Sequence, residues 1–203
     1  MDTYLREAYK DVKTKYLDEI AISLEKYFKD ILSDFAIIDR IAVRVKSVDR
    51  FVQKANKRNE DGNRKYDNPL KQIQDLIGAR IIVFYECEIC SITRSIEQYF
   101  RHIEKTTIVP DSVNEFGYEG VHYIMFLPED VLPSEECKLF IQPFFELQIK
   151  SLYQHAWSEA NHDLCYKPNT NLAIEEKRKV AFTAAQSWGA DMIFNELYKK
   201  SLQ

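Results

Sequence analysis

The chain has only five glycines and six prolines in 203 residues, and no apolar run approaches the roughly 20 residues that a bilayer crossing requires. Glycine and proline this sparse, and spread out, exclude low-complexity linkers and collagen-like repeats. The four cysteines, Cys87, Cys90, Cys137 and Cys165, supply one Cys87-Glu88-Ile89-Cys90 pair with no second pair to match. That excludes a two-pair structural zinc site, and the small turn residues of a redox loop are missing too. Reduced thiols are expected. The formal net charge of −4 lacks the basic excess that broad attachment to nucleic acid or anionic membranes demands. Met1-Asp2-Thr3-Tyr4-Leu5-Arg6 has neither a basic nor an apolar leader segment, so a cytoplasmic location is expected.

What remains is an ordinary globular composition, 45% apolar and 30% charged, at a length suited to one domain. The expected layout is an N-terminal helix over 1–33, a core over 34–167 and a C-terminal helix over 172–202. Tyr9, Val12, Tyr16, Ile20, Leu24 and Phe28 recur at helical spacing, which predicts one long amphipathic helix. Branched and apolar runs predict strands over Ile37–Val45, Ala79–Tyr85, Ile103–Val109, Val121–Leu127 and Leu139–Ile149. Helical patterns over Phe51–Ala55, Pro69–Ile73, Ser91–Phe100, Leu152–Leu164 and Ala173–Leu202 fall around them. That order implies an α+β fold, a mixed sheet of about five strands flanked by helices.

The polar residues worth attention sit at the ends of these strands. Arg44 and Lys46 close the first and, by strand alternation, point the same way. Asp75 precedes the second and Arg80 lies near its start; Glu146, Gln148 and Lys150 mark the last. Charges at the ends of buried strands are costly unless something opposes them. Two carboxylates brought together from neighbouring strands suit a hard divalent cation, usually Mg2+ where phosphates complete its shell. Arg44, Lys46, Lys54, Arg80 and Lys150 could surround the phosphates themselves. Taken singly, each has a private structural explanation, Glu146 pairing with Lys150 among them. Gly117-Tyr118 before His122 offers a stacking platform and an imidazole. His155, Glu159 and His162 share one helix face and read as support or substrate contacts, because no second Glu-x-x-His helix accompanies them. Lys54, Lys57, Arg58, Arg64 and Lys65 form one local basic patch.

In this order the motifs resemble the synthetase domain of the RelA/SpoT alarmone synthetases. Arg44-x-Lys46 with Lys54, Asp75-Leu-Ile-Gly-x-Arg80, Gly117-Tyr118-x-x-x-His122 and Glu146-x-Gln148-Ile149-Lys150 each match a family segment. So does His155-Ala156-Trp157-Ser158-Glu159-x-x-His162-Asp163-Leu164-x-Tyr166-Lys167. The resemblance implies a nucleotidyltransferase-like fold and transfer of the ATP β,γ-pyrophosphate to the 3′-hydroxyl of GDP or GTP. It also implies that Arg44 and Arg80 sandwich adenine and that Lys46 and Lys54 hold ATP phosphates. Asp75 and Glu146 would bind Mg2+, with Glu146 as base for the acceptor hydroxyl. Tyr118 would stack on guanine, and His122, Gln148, Lys150 and His155 would line the acceptor.

Four departures matter. Arg50 replaces a common serine. The stretch Val113-Asn114-Glu115-Phe116 lacks the usual basic residue before Gly-Tyr, Gly120 replaces the serine of Gly-Tyr-x-Ser-x-His, and Lys150 replaces arginine. The losses fall on the phosphate-gripping and acceptor sides. Small relatives that are toxins modify other acceptors, the CCA end of tRNA or adenosine nucleotides, and these are the competing reading. An inactive binding module is a third. ATP with GDP or GTP are therefore the expected partners, tRNA, an antitoxin or a second copy of the chain are further candidates, and no membrane is involved.

Overall fold

The computed structural model describes residues 2–112, 115–165 and 172–203; Val113, Asn114, Tyr166 and Lys167, named above, lie outside the described residues. It opens with α1 (Asp2–Val12), a π-helical turn (Lys13–Leu17) and α2 (Asp18–Ile31), one continuous helical run. The expected single helix is thus present, with a wider turn in its middle. The buried positions Val12, Tyr16, Ile20, Leu24 and Phe28 are four residues apart, which moves each about 40° further round a regular α-helix. The π turn, with its i→i+5 winding, turns the stripe back towards the core.

Then follow β1 (Ile38–Val45), α3 (Val48–Ala55), α4 (Pro69–Gln72), β2 (Ile77–Val83), α5 (Ile89–Tyr99), β3 (His102–Ile108) and β4 (Gly120–Phe126). Last come α6 (Cys137–Phe140), β5 (Phe144–Ser151), α7 (Leu152–Cys165) and α8 (Ile174–Ser201). The five strands make one mixed sheet in the order β1-β2-β5-β4-β3. Only β2 and β5 are parallel, and both are interior strands with most of their residues buried. The outer strand β3 is exposed along nearly all of its length and carries Glu104 and Lys105, charges that discourage pairing with another chain.

One expectation needs correction. The apolar run predicted as a strand over Leu139–Ile149 is divided: Cys137–Phe140 forms a helical turn and the strand starts only at Phe144. Pro143 separates the two, since it has no amide hydrogen to give a ladder; its carbonyl instead accepts from Leu127 N at 2.8 Å.

Register sorts the sheet into two faces. Rows such as Val43–Ala79–Leu147–Tyr123 and Ile41–Ile81–Ile149–Val121 supply the core face. The rows between them, Arg44–Gly78–Glu146–Ile124 and Ala42–Arg80–Gln148–His122, carry the charges on the other. The helical run α1–α2 lies on the core face, where Phe28 is fully buried with ring contacts to Phe100 at 4.9 Å and Phe145 at 5.9 Å. Truncating Phe28→Ala leaves a cavity where three rings meet and should lower unfolding free energy by roughly 3–5 kcal/mol. Urea denaturation will show this as a lower midpoint at unchanged slope.

Candidate active site

The charged face of the sheet floors a cleft lined by Arg44, Lys46, Asp75, Arg80, Glu146 and Gln148, with Ser47, Arg50, Gly78, Glu159 and His162 at its edges. Gly78 lies in register between Arg44 and Glu146, and a Cβ there would meet nothing within 4 Å. It therefore leaves open room between a cation and a carboxylate drawn from different strands.

Asp75 organises one wall. Its Oδ2 accepts from Lys46 Nζ and from Lys54 Nζ, both at 2.9 Å. Burial pushes this carboxyl up, but the two ammonium groups outweigh burial and hold it below the usual range. Lys46 is held in turn through its backbone: its N–H donates to Leu76 O at 2.8 Å and its carbonyl accepts from Tyr9 Oη at 2.7 Å. Tyr9 stacks on Phe51 at 3.9 Å, so the first helix and α3 brace the site. Sequence reasoning missed this role of Tyr9, which reads as one more apolar stripe residue. Lys54 joins the site and not the basic patch in which it was also grouped, while Lys57, Arg58, Arg64 and Lys65 stay on the surface.

Glu146 organises the other wall. Gln148 Nε2 donates to its Oε1 at 3.2 Å, and His122 Nδ1 lies 3.5 Å from the same oxygen. Burial raises this carboxyl, and these contacts more than offset the rise. Glu146 is thus not paired with Lys150. Lys150 is 3% exposed, 3.3 Å from Ser158 Oγ and 4.6 Å above the Tyr118 ring. Burial, then the neighbouring Arg80, lower its ammonium to about 8. Across the cleft Arg80 forms an ion pair with Glu159 at 2.7 Å. No cluster of three or more metal-ligating side chains occurs among the described residues.

Three buried polar atoms here have no hydrogen-bond partner: Asp75 Oδ1, Gln148 Oε1 and His155 Nδ1. Orphaned polar atoms are costly in an interior, and their gathering beside Arg44, Lys46, Arg80 and Lys150 marks a surface shaped for an anionic, hydrogen-bonding ligand. The free Asp75 oxygen also fits a divalent cation shared with Glu146.

Tyr118 and His122, expected from the resemblance to line the acceptor, contact each other. Tyr118 Oη lies 2.6 Å from His122 Nε2, with its ring folded onto Gly120; a Cβ at position 120 would come 2.8 Å from that hydroxyl. The glycine substituted for the family's serine is what admits this inward pose. Arg50, a departure in sequence, lines the cleft and adds a cation to it. Ser47 was not foreseen at all; it caps α3 by accepting from Arg50 N at 3.3 Å.

Both carboxyls are held low in the folded chain. Their stabilising contribution is present above the unfolded carboxyl value near ~4 and is lost as pH falls through the folded values. Asp75→Asn leaves Lys46 and Lys54 without a shared counter-charge. It should therefore lower the Tm at neutral pH, with the gap from wild type closing as pH drops below ~4; a gap constant with pH would count against this account.

Fifty-three solved chains resemble this fold. A GTP pyrophosphokinase family protein from Streptococcus pneumoniae matches with a TM-score of 0.75 at 18% identity, over 95% of this chain and 93% of that one. The small alarmone synthetase 1 of Bacillus subtilis, bound to its product pppGpp, matches with a TM-score of 0.72 at 16% identity, over 97% of this chain and 100% of that one. The Type VI effector Tas1, solved with its immunity protein, matches with a TM-score of 0.50 at 15% identity, over 92% and 95%. No curated protein is significantly similar in sequence. The family described as "Region found in RelA / SpoT proteins" matches residues 43–171, from the end of β1 to beyond α7. The chain, with its cleft on the charged face of a five-stranded sheet, belongs to the RelA/SpoT family.

Proposed function

We propose that the chain transfers the β,γ-pyrophosphate of ATP to the 3′-hydroxyl of GDP or GTP. The observation that carries this reading is the convergence of two ionised carboxylates with four cations around unpartnered buried polar atoms. Mg2+, held by Asp75 and Glu146, would supply the positive charge that phosphoryl-type transfer needs. Lys46, Lys54 and Arg50 bind the donor phosphates, and Arg44 and Arg80 present planar cations on which adenine stacks. Glu146, fixed by Gln148 and His122, accepts a hydrogen bond from the attacking hydroxyl and orients it. Lys150 faces the acceptor phosphates as an almost fully desolvated charge.

Incubation with γ-labelled ATP and each of GDP, GTP, an adenosine nucleotide or tRNA tests this directly, since the transferred group carries the label. Label on guanine nucleotides supports the reading. Label on tRNA or an adenosine nucleotide instead assigns the chain to the toxin-type reaction, and label on none defeats both. Opposite charges ~4 Å apart contribute roughly 4 kcal/mol at an effective dielectric near 20, so Glu146→Gln and Asp75→Asn should each lower kcat about a thousandfold.

The acceptor half carries its own consequence. Before Tyr118 can stack on a base it must leave His122, a hydrogen bond worth about 1 kcal/mol. Gly120→Ser removes the inward pose and should lower the KM for GDP about fivefold with kcat little changed. An unchanged or higher KM would show that the pose costs nothing on binding.

A further inference from the structure

Behind the Gly117-Tyr118 segment, between α7 and α8, lies a second cavity that shares no lining residue with the cleft. It encloses about 70 Å³ behind an open mouth and is lined by Glu86, Glu119, Asp191, Phe116, Trp157 and Trp188 among others. Since roughly 10–15 Å³ on this measure holds one water, the enclosed space takes a group of a few heavy atoms, with the rest of an occupant in the mouth. Three carboxyls and three aromatic rings meet here, and no lysine or arginine stands among the described lining residues.

Asp191 is the telling member. It is 4% exposed; its Oδ2 accepts from Ser151 Oγ at 2.6 Å, and its Oδ1 has no partner. Burial raises its carboxyl to about 6, with Glu86 and Glu119 adding to the rise. Glu119 is raised as well, by burial and then by Glu86. Glu86 has one donor, Asn195 Nδ2 at 2.9 Å, which is neutral. Carboxyls that repel one another inside a fold, with an unpaired oxygen, are a standing cost unless a cation joins them. The rings are placed to add to that attraction. Trp157 is fixed by donation from Nε1 to Thr183 Oγ1 at 3.1 Å, and Phe116 lies against Trp188 at 5.6 Å. Aromatic faces attract cations, and a planar guanidinium can stack on indole while it forms paired hydrogen bonds with a carboxylate.

We propose that this cavity binds a small organic cation with a guanidinium head, a site separate from the nucleotide cleft and independent of the reaction assigned to it. Because Phe116, Gly117 and Glu119 line the cavity while Tyr118 between them contacts His122 and Lys150, an occupant would touch the segment that carries the acceptor-side tyrosine.

Trp157 and Trp188 are the chain's two tryptophans and both line the cavity, so tryptophan-selective fluorescence reports on its occupancy. Titrating the full chain with propylguanidinium should give a saturable change. Neutral propylurea, of the same shape, should bind about tenfold or more weaker, as should propylguanidinium to Asp191→Asn. Glu119→Gln serves as the second variant should Asp191→Asn not fold, with the same loss expected. Saturating GDP should leave the bound cation in place. The proposal is overturned by no saturable change up to about 10 mM, by equal affinity for propylurea, by full affinity in the variants, or by displacement with GDP.

Discussion

The parallel pairing of β2 with β5 is the constraint on which everything else depends. These are the two most buried strands, and their register sets Gly78 opposite Glu146 and Arg80 opposite Gln148. Strand alternation then leaves no freedom: with Ala79, Ile81, Leu147 and Ile149 in the core, the intervening residues must face the cleft. A slip of one residue would bury Arg80 and Glu146 among apolar side chains and expose the residues that hold the sheet to α2. The core thus enforces the geometry of the site, and hydrophobic burial is the source of its precision.

Electrostatics explains why the site persists without its ligand. Lys46 and Lys54 share one oxygen of Asp75, so two positive charges are opposed by a single negative one. Lys150 has no carboxylate and depends on an aromatic face and a serine hydroxyl. Such an arrangement has excess positive charge and unpartnered acceptors, both of which a polyphosphate with its metal ion would neutralise. The stability given up in the free chain is recovered as affinity, the usual relation between strain in a site and what it binds.

Much of this was readable in the linear chain, for identifiable reasons. Helical and strand periods report burial, so nine or so of the larger elements fall where their apolar spacing places them. The motif residues Arg44, Lys46, Asp75, Arg80, Glu146 and Gln148 meet because they lie on, or just beyond, the charged face of strands that must pair. What failed shares a cause as well. An apolar run does not say whether it is helix or strand, and Pro143 alone hinted that Leu139 and Phe144 belong to different elements. The strand order is set by three-dimensional packing, which no period encodes. Tyr9 supports Lys46 across 37 positions of sequence, and Trp157 meets Trp188 at the second cavity across 31 more, distances over which local pattern carries no signal.

The two halves of the cleft are built from different materials, and that bears on which of them can change without disturbing the fold. The half around Lys46 and Asp75 hangs on β1, β2, α3 and the brace from Tyr9, all tied to the core by ladders and ring stacking. The other half rests on Tyr118, which belongs to no helix or strand and whose pose depends on the absence of a side chain at Gly120. A substitution in the first half disturbs packed strands and is felt in stability. A substitution in the second re-aims one ring at little cost to the fold. Change is therefore cheapest around Tyr118 and costliest where packed strands hold Lys46 and Asp75.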